Sequence, residues 1–140
     1  MINSSENIII EINKRTPFTI NGRIYLLEVV EGNIFLLCHK NGDPFFYLCI
    51  RDEFNIGFGM FLKDDNLWIN EPITTIDERT INFKINIIPE SYLHLSINGK
   101  REKTIGDIKG TYEGSCLLII GKSDKSPNNV STSKFGIFIQ

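Results

Sequence analysis

Few residues in this chain of 140 have the chemistry of a reactive site, and their spacing narrows the choice. The only histidines are His39 and His94. His39 follows Cys38, but neighbours on a strand point to opposite faces, so the two cannot form a nucleophile–base pair. Adjacent acids in "IRDEF" and "IDERT" diverge for the same reason. Glycoside hydrolysis needs two carboxyl groups converging on one bond. Asp64, Asp65 and Asn66, or Asn41 with Asp43, offer only a few of the roughly six to eight oxygens that calcium takes. They read as exposed turn residues, and no metal or cofactor is expected. The three cysteines, Cys38, Cys49 and Cys116, lie in apolar runs and read as buried free thiols.

Binding chemistry is easier to find than catalysis, and the chain is read as a non-enzyme. In "FNIGFGMFL", Phe54, Ile56, Phe58, Met60 and Leu62 alternate with Asn55, Gly57, Gly59 and Phe61. The two glycines fall on the side away from the apolar set, where a missing side chain leaves a trough. If that strand shares a sheet with Asn82, Lys84 and Asn86 and with Tyr92, His94 and Ser96, amides, an imidazole and an aromatic ring wall the trough. Such a surface suits a sugar, whose hydroxyls bond to amides and charges while its apolar ring face stacks on an aromatic. Trp68, the sole tryptophan, lies between turn signals in "NLWIN" and is a candidate platform. The blander alternatives are a core tryptophan, a solvent-facing His94 and glycines that mark bulges or close sheet contact.

The elements that must hold these residues follow from a period of two. "TINFKINII" and "YLHLSI" alternate apolar and polar residues as half-buried strands do. "NIIIEI", "RIYLLEVV", "NIFLLC", "PFFYLCI" and "CLLIIG" are apolar throughout and too short for a helix, and "KFGIFIQ" supplies a last strand. Asn-Gly occurs in "SINGKR", "TINGRI" and "HKNGDP"; the pair suits tight turns that need positive φ, so each is read as a turn. Pro44, Pro72, Pro89 and Pro127 fall at segment boundaries, and the polar run 121–134 reads as an exposed loop. About ten short strands with turns between them predict an all-β fold. It is expected to form one domain over residues 1–140, a sandwich of two antiparallel sheets.

Composition excludes several classes. With 41% hydrophobic and 23% charged residues the chain is ordinary for a globular protein. A net charge of −2 gives no basic surface for nucleic acid, and Lys100, Arg101 and Lys103 read as a solvated hairpin end. No apolar run approaches the roughly 20 residues that span a bilayer. The amino terminus is too acidic and its Ile run too short for a signal peptide, so the default expectation is a cytoplasmic protein.

Three motifs occur in a familiar order: Ile97-Asn98-Gly99-Lys100, Ile119-Ile120-Gly121-Lys122 and Phe135-Gly136-Ile137. Over residues 18–140 the order of segments resembles the concanavalin A-like lectin/glucanase superfamily, especially laminin-G-like jelly rolls. The resemblance implies a jelly-roll sandwich and non-catalytic recognition of a carbohydrate or glycoconjugate, with Tyr92, His94, Trp68, Asn82, Lys84 and Asn86 as site residues. Glucanases of the superfamily carry Glu-x-Asp-x-x-Glu on one strand, and this chain has no such string. It also lacks the tryptophan often found before the Asn-Gly hairpin, with Tyr92 nearby instead, and "FGI" is one residue tighter than usual. The alternatives are a structural module that self-assembles into a homo-oligomer and a glycoside hydrolase with an unrecognised carboxylate pair.

Overall fold

The computed structural model describes residues 7–140, apart from the side chains of Glu53 and Lys134. Residues 1–6, on which part of the reading of the amino terminus rests, lie outside the described residues. The strands are β1 (Ile8–Asn13), β2 (Phe18–Leu26), β3 (Gly32–Cys38), β4 (Pro44–Ile50), β5 (Asn55–Leu62), β6 (Leu67–Thr75), β7 (Thr80–Ile88), β8 (Tyr92–Ile97), β9 (Arg101–Ile105), β10 (Ser115–Ile120) and β11 (Thr132–Ile139). The larger sheet runs β1-β10-β3-β4-β5-β6 and the smaller β11-β2-β7-β8-β9. Every pairing between these strands is antiparallel. The expected two-layer sandwich is therefore present.

Alternation is what packs the layers. Ile81, Phe83, Ile85 and Ile87 on β7, with Leu93, Leu95 and Ile97 on β8, all face the core. From the larger sheet, Phe35, Phe46 and Phe58 rise as a ladder, with ring centroids 6.0 Å apart at each step. Phe83 meets Phe35 at 4.6 Å, joining the layers through aromatic contact. Burying each such ring contributes about 1.5–3 kcal/mol. The free cysteines are buried as expected, and all three lie in the larger sheet: Cys38 on β3, Cys49 on β4 and Cys116 on β10.

Several local expectations are corrected. Asn98 and Gly99 do turn β8 into β9, with φ of 53° and 66°, and Gly42 turns between β3 and β4. Asn21 and Gly22, in contrast, lie inside β2, paired with Phe138 and Ile137 on one side and Lys84 and Phe83 on the other. Sheet pairing on both sides overrides the local turn signal there. Consequently "RIYLLEVV" is not a separate strand: Arg23–Leu26 completes β2. Phe54 sits in a short 3-10 turn, Asp52–Phe54, and is exposed. Pro72 lies within β6, where a bulge on an edge strand tolerates its missing amide hydrogen. In the run 121–134, Ser126, Asn129 and Val130 are buried, so that loop is partly tucked into the body.

Candidate functional site

The core-facing pattern fixes what each sheet shows outward. On the larger sheet, Tyr47 of β4 pairs with Gly59 of β5, which pairs with Asn70 of β6, and Phe61 pairs with Trp68 in the next row. The expected trough is filled. A β-carbon at Gly59 would strike the Tyr47 ring, and one at Gly57 would strike the Arg51 side chain and the Glu71 carbonyl. The missing side chains let Tyr47 and Arg51 lie flat against the strand. Trp68 stands beside them, 44% exposed, with its ring 5.6 Å from Tyr47 and 6.2 Å from Phe61.

Polar groups adjoin this aromatic cluster. The Arg51 guanidinium donates to the Asn70 side-chain oxygen. A depression of about 300 Å³ beside them is lined by Glu31, Asn33, Tyr47, Arg51, Asp52 and Asn70. Burial holds the Tyr47 phenol above its ordinary value, so it stays protonated and available as a donor at neutral pH. Burial likewise raises Cys49, which lines the same depression as a neutral thiol. Sequence reasoning missed Tyr47, Arg51 and Asn70. Their roles depend on lateral pairing, although Gly-x-Gly with an upstream aromatic at matching parity is a usable signal.

Of the residues expected from sequence, Trp68 alone lies on this face. Asn82, Lys84 and Asn86 on β7, with Tyr92 and His94 on β8, occupy the outer face of the smaller sheet. The condition that they share a sheet with Gly57 and Gly59 fails, because those glycines are in β5 of the other layer. Asn86 accepts a 2.6 Å bond from the Thr19 hydroxyl, and His94 Nδ1 is 2.7 Å from Thr104 Oγ1, so both are engaged across strands. Asn82 and Lys84 instead line a separate basin with Asn21, Arg23, Ser96 and Phe138.

The metal reading resolves into turns. Asp43 N donates to Asn41 Oδ1 at 2.9 Å and Asn41 Nδ2 to Asp43 Oδ2 at 3.1 Å, a closed Asx turn. Among the described residues no cluster of three or more His, Cys, Asp or Glu is placed to hold a metal ion. No helix there is long and apolar enough to cross a membrane.

No family model matches the chain, and no curated protein matches it. Solved structures do. An alginate lyase, AlyC3, in complex with dimannuronate, superposes with a TM-score of 0.65 at 10% identity over 94% of this chain and 66% of its own. Sheep galectin-11, in complex with glycerol, gives 0.59 at 10% identity over 99% of this chain and 100% of its own. The binding domain of Paraclostridial Mosquitocidal Protein 1 gives 0.56 at 13% identity over 92% of this chain. The chain spans only 34% of that last structure and 66% of the lyase. Identities this low speak to architecture alone, and on architecture they agree: the chain has the two-sheet jelly-roll fold that these structures share.

Proposed function

We propose that this chain recognises a glycan without transforming it, on the outer face of the larger sheet around Trp68. One observation carries the reading: an exposed indole, braced by Tyr47 and Phe61, stands beside the hydrogen-bonded Arg51–Asn70 pair. A sugar ring needs these two components in contact, an apolar platform for its C–H face and fixed polar groups for its hydroxyls. The fold shared with a galectin and an alginate lyase fits saccharide chemistry in general and leaves the particular sugar open.

Binding is favoured over hydrolysis by the acids themselves. Glu31 and Asp52 both line the depression, but both are exposed to solvent and not enclosed around a bond to be cleaved. Elsewhere, hydrogen bonds from Lys40 and Lys63 lower Glu11 and Glu113, the opposite of what a general acid requires. A second reading, self-assembly, is favoured by Ile9, which is 53% exposed on the edge strand β1. It predicts a concentration-dependent mass in sedimentation, and a monomer at high concentration removes it.

Because Trp68 is the sole tryptophan, its emission reports directly on the site. Titration against a panel of neutral oligosaccharides is expected to give a saturable spectral shift for at least one. Trp68→Ala is expected to weaken that ligand about thirtyfold on a glycan array, roughly 2 kcal/mol for losing an aromatic anchor, with the melting temperature unchanged. A panel that gives no saturable signal at millimolar sugar overturns the reading.

A further inference from the structure

We propose that the outer face of the smaller sheet carries a second, separate site, for an acidic saccharide: a sugar ring bearing carboxylate or sulfate. The basin there is open to solvent and has a volume of about 380 Å³, within the roughly 300–1,000 Å³ of small-molecule sites. Its position follows from register. Phe138 of β11 pairs with Asn21 of β2, which pairs with Lys84 of β7, which pairs with Ser96 of β8. In the adjacent row of the same face, Gly136 pairs with Arg23, which pairs with Asn82.

Three features of these residues point to a ligand. The first is charge. Arg23 and Lys84 are diagonal neighbours, about 7–8 Å apart at the backbone, and neither belongs to an ion pair among the described residues. Among the described residues no carboxylate lines the basin, although the chain as a whole has a net charge of −2. The nearest acid by register is Glu102, opposite Ser96, and it leans toward His94 at 3.8 Å.

The second feature is uncommitted hydrogen-bonding capacity. The side-chain amides of Asn21 and Asn82 make no hydrogen bond among the described residues. In the next row of the same face Asn86 and His94 are both engaged. The third is shape. Phe138 is 68% exposed and stacks on no other ring among the described residues. Beside it, a β-carbon at Gly136 would meet nothing within 4 Å.

Each component has a matching part in one ligand class. A guanidinium and an ammonium bind carboxylate or sulfate, two amides bind hydroxyls, and an exposed phenyl takes the C–H face of a pyranose. A neutral sugar leaves both cations without partners, and a bare anion leaves Phe138 and the amides unused. The site lies on the opposite layer from Trp68 and stands or falls independently of the reading proposed there.

The test uses the full chain, a galacturonate trisaccharide and its neutral galactose counterpart, with calorimetry and amide chemical-shift mapping. The acidic sugar is expected to bind at least tenfold more tightly and to shift Gly22, Gly99 and Gly136. Its affinity should fall about threefold or more between 50 and 300 mM salt as the charges are screened. Lys84→Gln and Arg23→Gln are each expected to weaken it about tenfold, and Phe138→Ala by a similar factor.

Gly136→Leu plugs the basin at a position with ordinary negative φ and open space. It is expected to abolish binding while the melting curve stays in place; should it fail to fold, Phe138→Ala decides the same point. Trp68→Ala is expected to leave the acidic sugar's affinity intact. Equal affinity of the neutral sugar for this basin, read from the shifts of Gly22, Gly99 and Gly136, overturns the proposal, as does an equal response there to inorganic sulfate. Tighter binding of adenosine monophosphate does so too, as does concentration-dependent dimerisation through Phe138 in place of binding, or no binding by the folded chain at millimolar acidic sugar.

Discussion

The two outer faces of the sandwich use the absence of a side chain in opposite ways. On the larger sheet, Gly57 and Gly59 are covered: Arg51 and Tyr47 lie where β-carbons would be. The surface there is prefilled with an aromatic cluster whose neighbouring charges, Arg51, Glu31 and Asp52, are of mixed sign. On the smaller sheet, Gly136 is left open and the surrounding charges, Arg23 and Lys84, are of one sign. A strand glycine thus signals either close approach or open space, and only the neighbouring strand decides which. On the two readings proposed above, the difference also separates ligand classes. A braced aromatic platform with mixed charge suits a neutral ring, and an open cationic basin suits an acidic one.

The largest expected contrast between the layers is in stability against pH. All three thiols belong to the larger sheet, and burial pushes Cys38 up to about 11 and Cys116 up to about 12. In the unfolded chain a thiol ionises near 8.5. Both folded values are raised, so the neutral thiols' contribution is fully present below about pH 8.5. Above it the unfolded chain sheds protons that the folded chain keeps, and stability falls until pH passes the folded values. The slope is about 1.4 kcal/mol per pH unit for each thiol. Thermal melts are expected to be flat from pH 6 to 8 and to lose a few kcal/mol by pH 10. The double variant Cys38→Ala, Cys116→Ala should melt lower at neutral pH yet show a shallower alkaline limb. An unchanged limb in that variant would show that the thiols are not its cause.

Next in size is a comparison within one strand. Valine at Gly57 meets the backbone carbonyl of Glu71 as well as Arg51, and a carbonyl in a sheet cannot step aside. Valine at Gly59 meets first the outer end of the Tyr47 side chain, which can swing away. Gly57→Val is therefore expected to cost about 1–3 kcal/mol in chemical denaturation. Gly59→Val should cost less, yet alter Trp68 emission by removing Tyr47 from its side. Equal destabilisation by the two substitutions contradicts the packing described for this face.

Much of this architecture is legible in the sequence, and what is not has a common cause. Alternation in "TINFKINII" and "YLHLSI" identifies β7, β8 and their buried sides, and Asn98-Gly99 marks the turn into β9. Parity tells which side of a strand is buried but says nothing about which layer holds it. The six residues expected to form one site were therefore spread over two faces. Asn21-Gly22 carries the same local chemistry as Asn98-Gly99, but pairing with β7 and β11 holds it straight. That misreading also hid Arg23, which a hairpin would have placed at a loop instead of in the basin. The strand that holds Trp68 is not apparent from the sequence because β6 is an edge, where half-buried Ile69 and Ile73 dilute the alternation.

The smallest expected effect concerns the rim that ties the two faces together. Glu71 on β6 and Lys103 on β9 belong to different sheets, each on its sheet's edge strand, and their charged groups meet at 2.8 Å. Both side chains are more than two-fifths exposed, at 44% and 43%, so water screens the pair and its net worth is at most about 1 kcal/mol. A double-mutant cycle with Glu71→Gln and Lys103→Met is expected to return a coupling of about 0.3–1 kcal/mol that shrinks in molar salt. Such a weak clasp implies that the layers are held together by the apolar core between them, Phe83 against Phe35 included, and not by their rims. A binding event on one face should then leave affinity on the other unchanged. A coupling well above 1 kcal/mol, or acidic-sugar affinity that shifts when the Trp68 face is occupied, would mean that this rim transmits more between the faces than its exposed geometry allows.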